Sequence, residues 1–138
     1  MINNPVPVLR AQPMIAVADV ERASRWYREV LEFTSGHGGD EYEQLLSDGR
    51  LILQLHRREV GHHHGSLADP EIPLGNGVAL WFETSDLDAI VRRIHQARAR
   101  IVTDEHENPN AGHREIWVRD RDGYLVVIAG PPDGQQRP

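Results

Sequence analysis

The side chains able to do chemistry in this chain are eight histidines, scattered carboxylates and two well-spaced glutamines, with no cysteine among them. His113 and Glu115 lie two apart in a stretch with strand character, so they share one face. His56 ends a second such stretch. A His/His/carboxylate set is ligand chemistry for zinc or non-haem iron. The same groups equally suit an acid–base pair, or polar anchors that orient an apolar ligand. A cross-strand hydrogen bond, or a rim ion pair with Arg57, Arg114 or Arg119, is the plain structural alternative. His62-His63-His64 precedes Gly65 in a polar loop. Adjacent residues of an extended loop point in different directions and rarely chelate one ion, so this trio is read as a ligand-touching lid, through His64, or as a solvated loop, with a metal site as the third reading. His37, His95 and His106 have no evident partner, and His95 is expected in solvent. Trp117 shares the face of His113 and Glu115, where an indole suits stacking on a flat ligand. Trp26, Tyr27 and Trp81 are read as core.

Several chemistries are excluded. Without cysteine there are no disulfides, thiolate metal sites or iron–sulfur clusters. Without lysine there is no Schiff base; all 15 basic residues are arginine. No Gly-x-Ser-x-Gly elbow is present, and GHGGD lacks the spacing of a phosphate or dinucleotide loop. A net charge of −6 without a basic stripe argues against nucleic acid as partner. Apolar runs are too short to span a bilayer, and no leader-like segment opens the chain, so a cytoplasmic location is expected. With 138 residues, 39 % hydrophobic and 26 % charged, the chain suits one folded domain.

The elements that must position these groups follow from periodicity. Leu9–Val17 reads as a strand broken by Pro13. Asp19 caps a helix carrying Val20, Ala23, Tyr27, Val30 and Leu31 on one stripe. Tyr42–Leu46 and Leu51–His56 form a hairpin through Ser47-Asp48-Gly49. A long polar loop, 57–77, precedes a strand at Val78–Thr84. Ser85 and Asp86 offer a cap for a helix presenting Leu87, Ile90, Val91, Ile94 and Ala97. A short strand, Arg100–Thr103, and a loop, Asp104–Gly112, lead to a closing hairpin of His113–Arg119 and Tyr124–Ala129. Within Leu51–His56, the leucine face belongs under a helix, which leaves Ile52, Gln54 and His56 facing a cavity.

Each half therefore reads strand, acid-capped helix, short strand, hairpin. The predicted fold is α+β: tandem βαβββ modules making an open, cup-shaped mixed sheet with helices outside. Module 1 covers about 8–57, a linker loop 58–77, module 2 about 78–130, and a flexible tail 131–138.

MIAVADVERASRWYREVLEF and REIWVRDRDGYLVVIAG resemble the opening and closing signatures of the vicinal oxygen chelate superfamily. That group includes glyoxalase I, bleomycin-resistance proteins, fosfomycin-modifying enzymes and extradiol dioxygenases. The resemblance covers most of residues 9–129 and carries over four metal-ligand positions, onto Gln12, Gln54, Val78 and Val127. A histidine would be usual at the third and a glutamate at the fourth. Two amides cannot compensate a divalent cation, and valine cannot coordinate one.

The resemblance thus implies a metal-independent binding protein for a hydrophobic or aromatic small molecule, plausibly an antibiotic. Gln12, Gln54, His56, Val78, Leu80, His113, Glu115, Trp117, Val127 and His64 are the expected ligand contacts, with Phe82 adding to the apolar lining. No metal and no cofactor are expected. One alternative is a lyase or dioxygenase whose zinc, nickel or iron is held by His56, His113 and Glu115. Another is a non-catalytic interaction module. A homodimer is implied, as bleomycin-resistance proteins build clefts between subunits, and the N-terminal arm could cross to the partner.

Overall fold

A computed structural model of the chain describes residues 7–59, 67–110 and 112–131. Residues 132–138 of the expected tail, and His62, His63 and His64 with their proposed lid, lie outside the described residues.

Two βαβββ modules follow each other along the chain. Module 1 is β1 (Met14–Val17), α1 (Val20–Leu31), β2 (Thr34–Ser35), β3 (Tyr42–Ser47) and β4 (Arg50–Arg57). Module 2 is β5 (Ala79–Glu83), α2 (Leu87–Gln96), β6 (Arg100–Asn108), β7 (His113–Arg119) and β8 (Leu125–Ala129). Each makes a four-stranded mixed sheet, ordered β1-β4-β3-β2 and β5-β8-β7-β6. The first strand pairs in parallel with the last in both, and neither sheet closes into a barrel. The expected architecture is the observed one.

Local chemistry accounts for the elements. The Asp19 carboxylate accepts from Arg22 N at 3.0 Å and that of Asp86 from Ala89 N at 3.1 Å. Each satisfies one orphan donor of a helix first turn. Asp48 and Gly49 take φ of 50° and 72°, the two left-handed residues that a tight hairpin turn demands. Ala23, Tyr27 and Val30 of α1, with Ile90 and Ile94 of α2, bury against Leu53, Leu55, Ile116, Val118 and Val126 in one core.

The second module's closing turn bolts the halves together. Tyr124 Oη donates to Ala16 O at 2.7 Å, Ala18 N to Asp122 Oδ1 at 2.9 Å, and Tyr27 Oη to Asp120. Burial raises the Asp120 pKa, although the bond from Tyr27 opposes it. Burial, followed by the neighbouring Asp120 charge, pushes the Tyr27 hydroxyl well above its ordinary value.

Two expectations about strands need correction. Residues 9–13 are not strand; β1 starts only after Pro13, whose carbonyl accepts from Gln54 N. β6 runs to Asn108, so residues 104–108 of the expected loop at 104–112 are strand, with His106, Glu107 and Asn108 in register with β7. Most of β6 is exposed on both faces, which removes the apolar alternation that marks a strand in sequence.

Candidate functional site

Register decides which side chains share a face. Trp81, Val127, Trp117 and Thr103 are aligned across β5, β8, β7 and β6. The neighbouring row is Glu83, Ala129, Glu115 and His106. The opposite face carries Leu80, Val126, Val118 and Ile101 toward the core and the helices.

This overturns the expected place of three residues. Leu80 is buried in the core, and Phe82 packs edge-on against Phe33, so neither lies on the face of Trp117. Trp81, read as core, is 50 % exposed. The physical reason is bulk: Leu80 and Phe82 together fill the space under the helices, and alternation then turns Trp81 outward. Its ring lies 6.5 Å from Trp117 and 6.1 Å from His113, both edge to face. Val127, fully buried, forms the floor between the two indoles.

Glu115 anchors this shelf. It is only 1 % exposed. One carboxylate oxygen accepts from Trp117 Nε1 at 2.9 Å; the other accepts from the amide of Asn108. His113 Nε2 and His106 Nε2 stand 3.7 and 3.9 Å from that second oxygen. His106 Nδ1 faces the Asp104 carbonyl at 2.9 Å, which makes Nδ1 the donor and turns Nε2 to the carboxylate. His113 Nε2 is buried and makes no hydrogen bond. Through the Glu115 carboxylate the group fixes the Trp117 indole in one orientation. His106 and Trp81 are the members that sequence reasoning missed. An extended β6 would have pointed to His106, because it stands directly opposite Glu115.

The first sheet presents a different face. Met14, Gln54 and Gln44 are aligned, beside Ala16, His56 and Tyr42. Tyr42 Oη donates to Gln54 Oε1, and Gln44 Nε2 donates to Tyr42 Oη at 3.1 Å. Gln54 Nε2 donates to the Gln12 carbonyl at 2.9 Å. Both ends of the Gln54 amide are thereby engaged. Gln12 lies exposed before β1. Val78 lies on neither tryptophan's face. It is 45 % exposed and lines a separate apolar cleft of about 370 Å³ with Met14, Leu67, Ile72, Leu74 and Tyr124. Gly75 lets the linker close that cleft, since a Cβ there would stand 2.6 Å from the Gly123 carbonyl oxygen.

The four corners implied by resemblance are therefore an exposed amide, a hydrogen-bonded amide and two hydrocarbons in different surroundings. That donor set does not fit a divalent cation. His56 belongs to the first sheet and Glu115 to the second, and among the described residues no three His, Asp or Glu side chains group as a metal would require.

Residues 10–128 match the family model described as Glyoxalase/Bleomycin resistance protein/Dioxygenase superfamily. Among solved structures, TioX from Micromonospora sp. ML1 is 24 % identical, with a TM-score of 0.68 over 85 % of this chain and 94 % of that one. Lactoylglutathione lyase from Agrobacterium tumefaciens is 17 % identical, with a TM-score of 0.67 over 91 % and 96 %. The fosfomycin resistance protein FosX from Mesorhizobium loti is 14 % identical, with a TM-score of 0.62 over 96 % of both chains. At these identities the likeness shows the fold alone. No curated protein matches the chain significantly.

Proposed function

The chain belongs to the glyoxalase/bleomycin resistance protein/dioxygenase superfamily, and from that premise we propose that it binds a flat hydrophobic or aromatic small molecule without a metal ion. An antibiotic is one such molecule, and sequestration is then the activity. The observation that carries this reading is the shelf of Trp81, Val127 and Trp117, with a half-exposed indole on an otherwise folded surface. Isolated large apolar groups are ordinary on surfaces; two indoles at an edge-to-face spacing over a valine floor make a platform for a third ring. Apolar burial of about 25 cal/mol per Å² supplies the affinity. Glu115 supports the shelf by holding the Trp117 ring through its N–H, so little side-chain freedom is lost on binding.

The donor set at the resemblance positions supports a metal-free reading over the lyase or dioxygenase alternative. A homodimer and a cytoplasmic location belong to the same proposal. The described residues contain no helix long and apolar enough to cross a membrane.

The test is a panel of flat aromatic compounds followed by tryptophan fluorescence and calorimetry. Trp117→Ala and Trp81→Ala should each weaken the best binder by about 1–3 kcal/mol, roughly 5- to 150-fold. Unchanged affinity in both folded variants removes the shelf from function.

A further inference from the structure

A second surface, with no residue of the tryptophan shelf, adjoins α1 and the end of α2. Trp26 stands between two adjoining clefts of about 360 and 130 Å³, both also lined by Arg121. Three distant segments meet there. α1 contributes Arg22, Arg25, Trp26 and Glu29, spaced so that one helical face carries all four. The turn after α2 contributes Arg98, the start of β6 Arg100, and the end of β7 with its following turn Arg119 and Arg121.

Six guanidinium-bearing residues thus surround one indole in a chain whose net charge is −6. None of the six forms an ion pair with a described carboxylate. Among the lining residues the only carboxylates are Glu29 and the buried Asp120, which already accepts from Tyr27. Arg119 donates to the Gly123 carbonyl at 3.0 Å and Asp122 interacts with Arg121, while Arg22, Arg25, Arg98 and Arg100 are exposed, which leaves a local excess of positive charge that an anion would complement. Arg98, with φ of 55°, closes α2 as its left-handed capping residue, its N–H donating to His95 O and that of Ala99 to Ile94 O, and it stands between Ala97 and Ala99. Those short side chains keep the space beside the Trp26 ring open.

We propose that this face is a binding site for a small phosphorylated aromatic compound, with nucleoside triphosphates as the representative class. The planar guanidinium forks suit phosphate oxygens, and the Trp26 ring offers a stacking surface for the base. The larger cleft, of about 360 Å³, has room for a small molecule, and both clefts are shallow and open to solvent. The site shares no residue with the Trp81–Trp117 shelf and does not depend on its function.

The probes are ATP and inorganic triphosphate, added without magnesium at low salt to the isotopically labelled full chain. ATP at millimolar concentration should shift the Trp26 indole N–H resonance saturably and leave those of Trp81 and Trp117 in place. Calorimetry should give one site that weakens on raising salt. Arg25→Glu with Arg121→Glu, both on exposed positions, should weaken ATP about tenfold or more. Trp26→Leu should abolish the preference for ATP over triphosphate. An unmoved Trp26 resonance, or ATP affinity indifferent to the two charge reversals, overturns the proposal. Saturable binding of duplex DNA without binding of ATP overturns it as well.

Discussion

Glu115→Gln is the substitution that most sharply probes how the shelf is held. The carboxylate accepts two hydrogen bonds on different oxygens, from Trp117 Nε1 and from the Asn108 amide. A glutamine of the same shape has one acceptor oxygen. It satisfies one donor and turns its own N–H₂ toward the other, at a site only 1 % exposed. The loss is one charge-assisted hydrogen bond plus a buried unpaired donor, about 2–4 kcal/mol. With a urea m-value of about 1.5–2 kcal/mol per molar for a domain of this size, the unfolding midpoint should fall by about 1–2.7 M. Urea unfolding followed by far-ultraviolet circular dichroism measures it. The Trp117 indole resonance should broaden or move in the same variant, and binding on the shelf should weaken with it. A midpoint unchanged within experimental scatter, with the Trp117 resonance in place, would refute the anchoring role.

Two further predictions concern carboxylates inside the fold. Glu43 is buried and accepts from Ser24 Oγ and Ser35 Oγ at 2.8 Å each, and from Gly38 N at 2.7 Å. Burial works to raise its pKa, but these bonds outweigh burial and hold it below the ordinary value. A depressed folded pKa stabilises above the unfolded pKa and loses that stability as pH falls through the folded value. Glu43→Gln should therefore cost about 1–3 kcal/mol at neutral pH and progressively less toward acid, measured by thermal unfolding at a series of pH values. Tyr27→Phe removes the donor that opposes the upward shift of Asp120, so that carboxyl should titrate higher still. Because a raised folded pKa costs stability as pH rises, the variant's deficit should grow from acid to neutral pH; a constant deficit would contradict the assigned coupling.

Much of the fold is legible in the chain because its signals are local. Asp19 and Asp86 precede apolar stripes of helical period, and Asp48-Gly49 separates two strands. Face assignment is also legible for β7, where Ile116 and Val118 go under the helices and Glu115 and Trp117 do not. It fails for β5, because Val78, Leu80 and Phe82 alternate with Ala79 and Trp81, and both sets are apolar. Pattern alone cannot tell which bulk the core needs. His106 was hidden by a strand without an apolar face. The buried Glu43 gave no signal either, since its donors come from α1, from β2 and from the loop that follows β2. The arginine surface is invisible along the sequence for the same reason: its members come from positions 22 to 121 and only the packed helices and turns unite them.

The proposed binding mode has a flat molecule retained by the indoles while hydrocarbon and two amides stand where a cation would be coordinated. Its most direct test is the affinity of the best aromatic binder for tag-free protein before and after exhaustive chelation, with metal content determined in parallel. Equal affinity in both preparations, with metal far below one equivalent, is the predicted result. Near-stoichiometric zinc, nickel or iron that survives deletion of residues 62–64, and whose removal abolishes binding, would contradict it.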